Sequence, residues 1–162
     1  MTAPAAKSNL AAGLVAALVG ALLGAVAWAV IVSVTDYKIG FAAVGVGALA
    51  GFLAGRAGGA HPSLPVAAAV IGLVGCVVGD LLIDAHAVAK AAESVTGSGV
   101  SMFRVLKEMA LHPSDTGWPI YKTGFEAMDA LFYAFAAFAG FRLATQHGQQ
   151  LQPAVVPPPP AE

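Results

Sequence analysis

The sequence predicts an all-α membrane protein: four transmembrane helices, with a short amphipathic interfacial helix between the third and the fourth. Three observations predict it. The chain of 162 residues is 58% hydrophobic and 10% charged, with a mean hydropathy of +0.78, whereas soluble domains carry ~25% charged residues. That leaves too little polar material to coat a soluble globule. Uncharged stretches long enough to hold the ~20 residues of a spanning helix recur along the chain. Finally, Ala43, Gly47, Gly51 and Gly55 recur every fourth residue, which on a helix makes a bare strip of backbone on one face. In water these glycines would cost about 1 kcal/mol each relative to alanine. In a bilayer the backbone must bond to itself whatever the residue, and the strip lets a second helix approach closely.

Residues 1–9 form a polar lead with Pro4 and one charge, Lys7, ahead of the helical domain over 10–145. The first span covers 10–34. Ala25 and Ala27 match an A-x-A signal-peptide cleavage site, but apolar sequence continues from Trp28 to Val34 and favours one uninterrupted span. Gly13, Ala17, Gly20, Gly24 and Ala27 give it a small-residue face, a partner for the second helix. Asp36, Tyr37 and Lys38 make a hinge so short that the second span, 39–55, must lie antiparallel beside the first. The helix-packing glycines of this pair are Gly20, Gly24, Gly47, Gly51 and Gly55.

Arg56, Gly58, Gly59, His61, Pro62 and Pro65 mark the next turn, with Pro65 acceptable in the first turn of a helix. The third span, 64–84, continues as helix to about 92. Ala69, Gly72, Cys76, Asp80 and Asp84 share one of its faces, and Gly72 and Gly79 are its packing glycines. Cys76, the single cysteine, cannot form an intramolecular disulfide and reads as a small packing residue. From 101 to 111, Met102, Val105, Leu106, Met109 and Ala110 oppose Ser101, Arg104, Lys107 and Glu108, the pattern of a helix in the interface plane or capping the bundle. His112-Pro113 stops it. Ser114 to Gly117 reads as a turn, and Trp118 and Tyr121 as anchors at headgroup level.

The fourth span covers 124–145. Glu126, Asp129, Tyr133, Ala137, Gly140 and Ala144 line one face, expected inward; Phe125, Phe132, Phe135 and Phe138 line the other, expected to meet lipid. Residues 146–162 are Gln-rich and then Pro-rich, a tail expected to be disordered with polyproline character.

Three segments carry a resemblance: Thr35-Asp36-Tyr37-Lys38-Ile39-Gly40 followed by Gly45-Val46-Gly47; Leu73 to Leu81, reading Leu-Val-Gly-Cys-Val-Val-Gly-Asp-Leu; and Met128 to Leu143. Together they resemble a group of small bacterial four-span membrane proteins with no established activity. Relatives read Thr-Gly-Tyr-Glu-Ile-Gly at the hinge and Gly-Asn after the cysteine, so Asp36, Lys38 and Asp80 depart from the pattern. The resemblance implies a four-span bundle and argues against a catalytic carboxylate at position 80; the expected location is a bacterial inner membrane.

Four spans bring Asp36, Asp80, Asp84, Glu126, Asp129, His86 and His112 to one side. Such acids can coordinate a cation, relay protons or pair with lysines, and Lys38, Lys90 and Lys122 are at hand; between the inward Asp80 and Asp129, Lys122 is the basic side chain nominated. Asp80, Asp84 and Asp129 are the only metal candidates, weak ones, and the reading assigns no metal, no cofactor and no catalytic residue. Gly45-x-Gly47-x-x-x-Gly51 lies inside a span with no strand before it and is no dinucleotide loop; no P-loop, HExxH or Ser/His/Asp elbow occurs. The net charge of −1 gives no field for nucleic acid. The expected partners are the bilayer and another copy or a larger membrane complex. Span-end basic residues number three on each side; the short, purely basic Arg56 turn places the termini in the cytoplasm. The expected function is a non-catalytic packing or complex-forming component, with a small cation or proton transporter or channel component as the alternative. A membrane-embedded enzyme finds no supporting motif.

Overall fold

The computed structural model describes residues 8–38, 40–125 and 127–150. The sequence expectations for residues 1–7, Ile39, Glu126 and the Pro-rich segment 151–162 fall outside them. The described chain is helical: α1 Leu10–Thr35, α2 Phe41–Gly58, α3 Leu64–Thr96, α4 Met102–Leu111, a π-helical turn Pro113–Gly117, α5 Trp118–Gly124 and α6 Ala127–Gln150. α1, α2, α3 and α6 are long and apolar enough to cross a membrane.

Local chemistry sets the helix ends. The Asn9 side chain accepts a hydrogen bond from the Ala12 N–H at 3.1 Å and caps α1. Asp36 closes that helix in the left-handed region, φ 53°, where its N–H reaches the Val32 carbonyl. Pro65 occupies the first turn of α3, and Gly97 at φ 67° ends it. α3 thus runs to Thr96, beyond the expected 92, because nothing breaks it before that glycine. α6 begins at Ala127 rather than 124, since Gly124 closes the separate helix α5. At its other end helix persists through Gln150, so residues 146–150, expected to belong to the tail, are helical: Gln149 and Gln150 are competent helix formers.

α2 and α3 pack against each other and each against α1 and α6, which lie on opposite sides of that central pair. α2 uses two faces. On one, the Gly20 backbone meets Leu49 and Ala50, Gly24 meets Val46, and Gly13 meets Gly58. On the other, Gly47, Gly51 and Gly55 lie on the backbone of Ala136, Gly140 and Ala144 of α6. The regular glycine strip therefore faces the fourth span, and α1 contacts the other side of α2. On α3, Gly72 abuts Gly47, and Gly79 lies under the Trp28 ring. All seven predicted packing glycines sit at helix contacts.

Two expectations about helix faces are corrected. Ala27 is exposed, while Ala21, Ala25 and Trp28 carry the buried face of α1. Phe132 does not face lipid; its ring fills the space above Gly40 and pairs with Phe41 at 5.3 Å, an inward step that Gly40 permits by having no side chain. Phe135 and Phe138 are exposed, as expected. α4 packs Val105 and Met109 onto Ala85 and Ala89, on the stretch of α3 beyond a bilayer's thickness. The segment expected to be a turn before Trp118 is instead the π-helical turn, held by the Gly117 N–H on the His112 carbonyl at 3.2 Å, and Trp118 to Gly124 is helical.

Candidate functional site

The ionisable groups at the hinge end of the bundle organise around Lys38. The short connection between α1 and α2 projects this side chain between α3 and α6. Its Nζ lies 3.0 Å from Asp80 Oδ1 and 3.1 Å from Asp129 Oδ2. The Tyr133 hydroxyl donates to the other Asp80 oxygen. Asp80 is 2% exposed and Asp129 6%, so both carboxylates have left water and depend on protein donors. Burial alone would lower the Lys38 pKa; the Asp80 and Asp129 carboxylates outweigh it and hold it above the usual lysine value.

Helix register delivers the two acids. Asp80 lies on the Gly72–Cys76 face of α3, which packs inward, and Asp129 stands one turn before Tyr133 on the inner face of α6. Beneath them, Cys76 is fully buried with its thiol directed at the Ala43 carbonyl, 3.5 Å away, which fits its packing role.

The other acids and histidines expected on this side are dispersed. Asp84 lines a separate cavity of about 370 Å³ with Pro119, Ile120 and Thr123. Asp36 pairs with Lys90 at 2.6 Å, and the hydrogen bond and charge of that lysine lower the Asp36 pKa. His86 lines a hollow with Asp36, Lys38 and Lys90. His112 lies 3.8 Å from Glu108 on α4. Among the described residues no group of three or more His, Cys, Asp or Glu is arranged to hold a metal ion.

Lys122, nominated between the acids, instead sits outside with its Nζ 6.0 Å from the Trp118 ring centre. Lys38 takes the place because its hinge lies directly over the inward ends of α3 and α6. The sequence carried a usable signal: Lys38 is the single basic residue of a hinge too short to reach far into water, on the same side as two inward acids.

An aromatic ladder joins this cluster to the surface. Trp118 stacks on Tyr121 at 5.8 Å, Tyr121 meets Phe125 at 5.5 Å, and Phe125 meets Tyr133 edge-on at 5.8 Å. Alongside Trp118 and Tyr121 lies a cavity of about 600 Å³ lined also by Val77, Leu81, Leu106 and Met109. Compared with known protein families, curated proteins and solved structures, the chain matches none.

Proposed function

We propose that this is a non-catalytic integral membrane protein, a helix-packing unit that serves as a component of a membrane assembly. The supporting observation is the engagement of both inward carboxylates by the chain itself: Lys38 bridges Asp80 and Asp129, and Tyr133 donates to Asp80. An ion pair so placed ties the α1–α2 hinge to α3 and α6. The glycine faces are consumed inside the bundle, so association with a partner or a second copy falls to the outer surface.

A small cation or proton transporter component is the second reading. It draws on two carboxylates sharing one lysine next to a tyrosine, in a segment deep enough for charge to be costly.

Stability and flux measured on the same variants separate the two. In the packing reading Asp80→Asn keeps an acceptor for Tyr133 and is tolerated. Lys38→Met leaves two buried carboxylates facing each other and destabilises by about 2–3 kcal/mol, below the ~3–5 kcal/mol of a fully buried pair because Lys38 is partly exposed. Protein reconstituted in vesicles then conducts cations or protons no faster than empty vesicles. A flux that Asp80→Asn abolishes at unchanged stability overturns the packing reading in favour of transport.

A further inference from the structure

The cavity between α3 and the α4–α5 segment reaches membrane depth along its α3 wall. Val77 and Leu81 stand 13 and 17 residues after Leu64, which at ~1.5 Å per residue puts them about 20 and 26 Å along a ~30 Å hydrocarbon layer. The walls above them are Leu106, Met109, Ala110, Pro113 and Gly117, with Trp118 and Tyr121 at one end. At about 600 Å³ the cavity falls within the ~300–1,000 Å³ of small-molecule sites. An apolar lining of this kind suits an acyl chain better than water.

The charges around it select among lipids. Lys122 lies over the face of Trp118, and Lys107 is exposed on the polar side of α4, next in sequence to the cavity-lining Leu106. The acids of the same segment do not line the cavity: Glu108 is on the polar face of α4, 3.8 Å from His112, and Asp115 accepts a hydrogen bond from Ser114 at 2.9 Å. Two lysines flanking an apolar slot, with aromatic groups at headgroup level, complement an anionic lipid.

We infer that this cavity is a binding site for one acyl chain of an anionic phospholipid, whose headgroup is held by Lys107 and Lys122. The α4–α5 segment, which touches the bundle mainly through α3, is then held to it partly by lipid. This inference stands on the bundle being embedded in a membrane, not on what the bundle does there.

The test is native mass spectrometry of full-length protein reconstituted in vesicles of equal parts phosphatidylglycerol and phosphatidylcholine and re-extracted in mild detergent. One phosphatidylglycerol is expected to remain on each wild-type chain. Ala110→Phe fills the cavity and lowers that occupancy at least tenfold, about 1.4 kcal/mol. Leu111→Phe, on the exposed face of α4, leaves it unchanged, and Lys107→Glu combined with Lys122→Glu removes the preference for phosphatidylglycerol. Helical circular dichroism checks folding; if Ala110→Phe fails it, the smaller Ala110→Leu replaces it with the same expectation. Absence of a retained phospholipid, equal retention in the cavity-filling variant, or retention with no dependence on the two lysines overturns the assignment.

Discussion

Gly51 and Gly45 allow one substitution to be made twice on the same helix with opposite results. At Gly51 a Cβ would run into the carbonyl of Gly140, backbone against backbone, while at Gly45 nothing lies within 4 Å. No rotamer can relieve the first clash, so α2 and α6 must separate. An opening of 0.5–1 Å forfeits roughly a quarter to a half of each dispersion contact along the seam, and Gly47 and Gly55 share that seam. Overpacking costs about 1–3 kcal/mol; backbone on both sides puts Gly51→Ala at the upper end. Helix propensity returns up to about 1 kcal/mol, leaving a net loss near 2 kcal/mol. Gly45→Ala meets no clash and is neutral or up to about 1 kcal/mol stabilising. The pair should therefore differ by about 2–3 kcal/mol, or roughly 4–12 °C in Tm for a chain of this size. Thermal unfolding of both variants in one detergent measures this. Equal transitions would refute the close α2–α6 contact.

Topology is tested by labelling His61→Cys, Asp115→Cys and Gln149→Cys in a Cys76→Ala background: positions 61 and 149 should react from one side of the membrane and 115 from the other, and reaction of all three from one side removes the four-span arrangement. Asp36 holds a left-handed conformation that favours glycine, and its pairing with Lys90 is exposed to solvent. Asp36→Gly should thus match or exceed wild-type thermal stability, whereas Asp36→Val should fall below it; the reverse order would mean that the Lys90 pairing outweighs the backbone cost.

The spans were legible because lack of charge is a local property. A helix that cannot be solvated announces itself within its own 20 residues. Partner choice is not local. The four-residue spacing from Ala43 to Gly55 says that some helix comes close, but the same strip would serve α1, α3 or α6. Only the placement of Ala136, Gly140 and Ala144 in the assembled bundle decides for α6. Phe132 shows the same limit in reverse: grouped by helical angle with the exposed phenylalanines, it turns inward because Gly40, on another element, leaves room for its ring. α5 escaped notice for a different reason. Seven residues with a proline in the first turn are too few for a periodicity, and the breakers around them read as a loop.

At the candidate site, the inward position of Asp80 and Asp129 followed from helical phase, while the cation between them depended on how far each lysine can reach in three dimensions. Lys122 is closer to Asp129 in sequence, yet α5 turns it out over Trp118. Lys38 is 42 residues from Asp80 and 91 from Asp129, and the hinge brings it to both. The two ends of the bundle are consequently closed by different physics. Near the termini, Asn9 donates its N–H to the Gly58 carbonyl at 3.0 Å and the Gly13, Gly58 and Leu64 contacts are steric; at the hinge, closure is ionic. Added side-chain volume should open the first end, and loss of charge the second. Since Lys38 can reach its partners only once α3 and α6 stand beside the α1–α2 hairpin, its ion pairs reward the assembled bundle and contribute nothing to that hairpin alone.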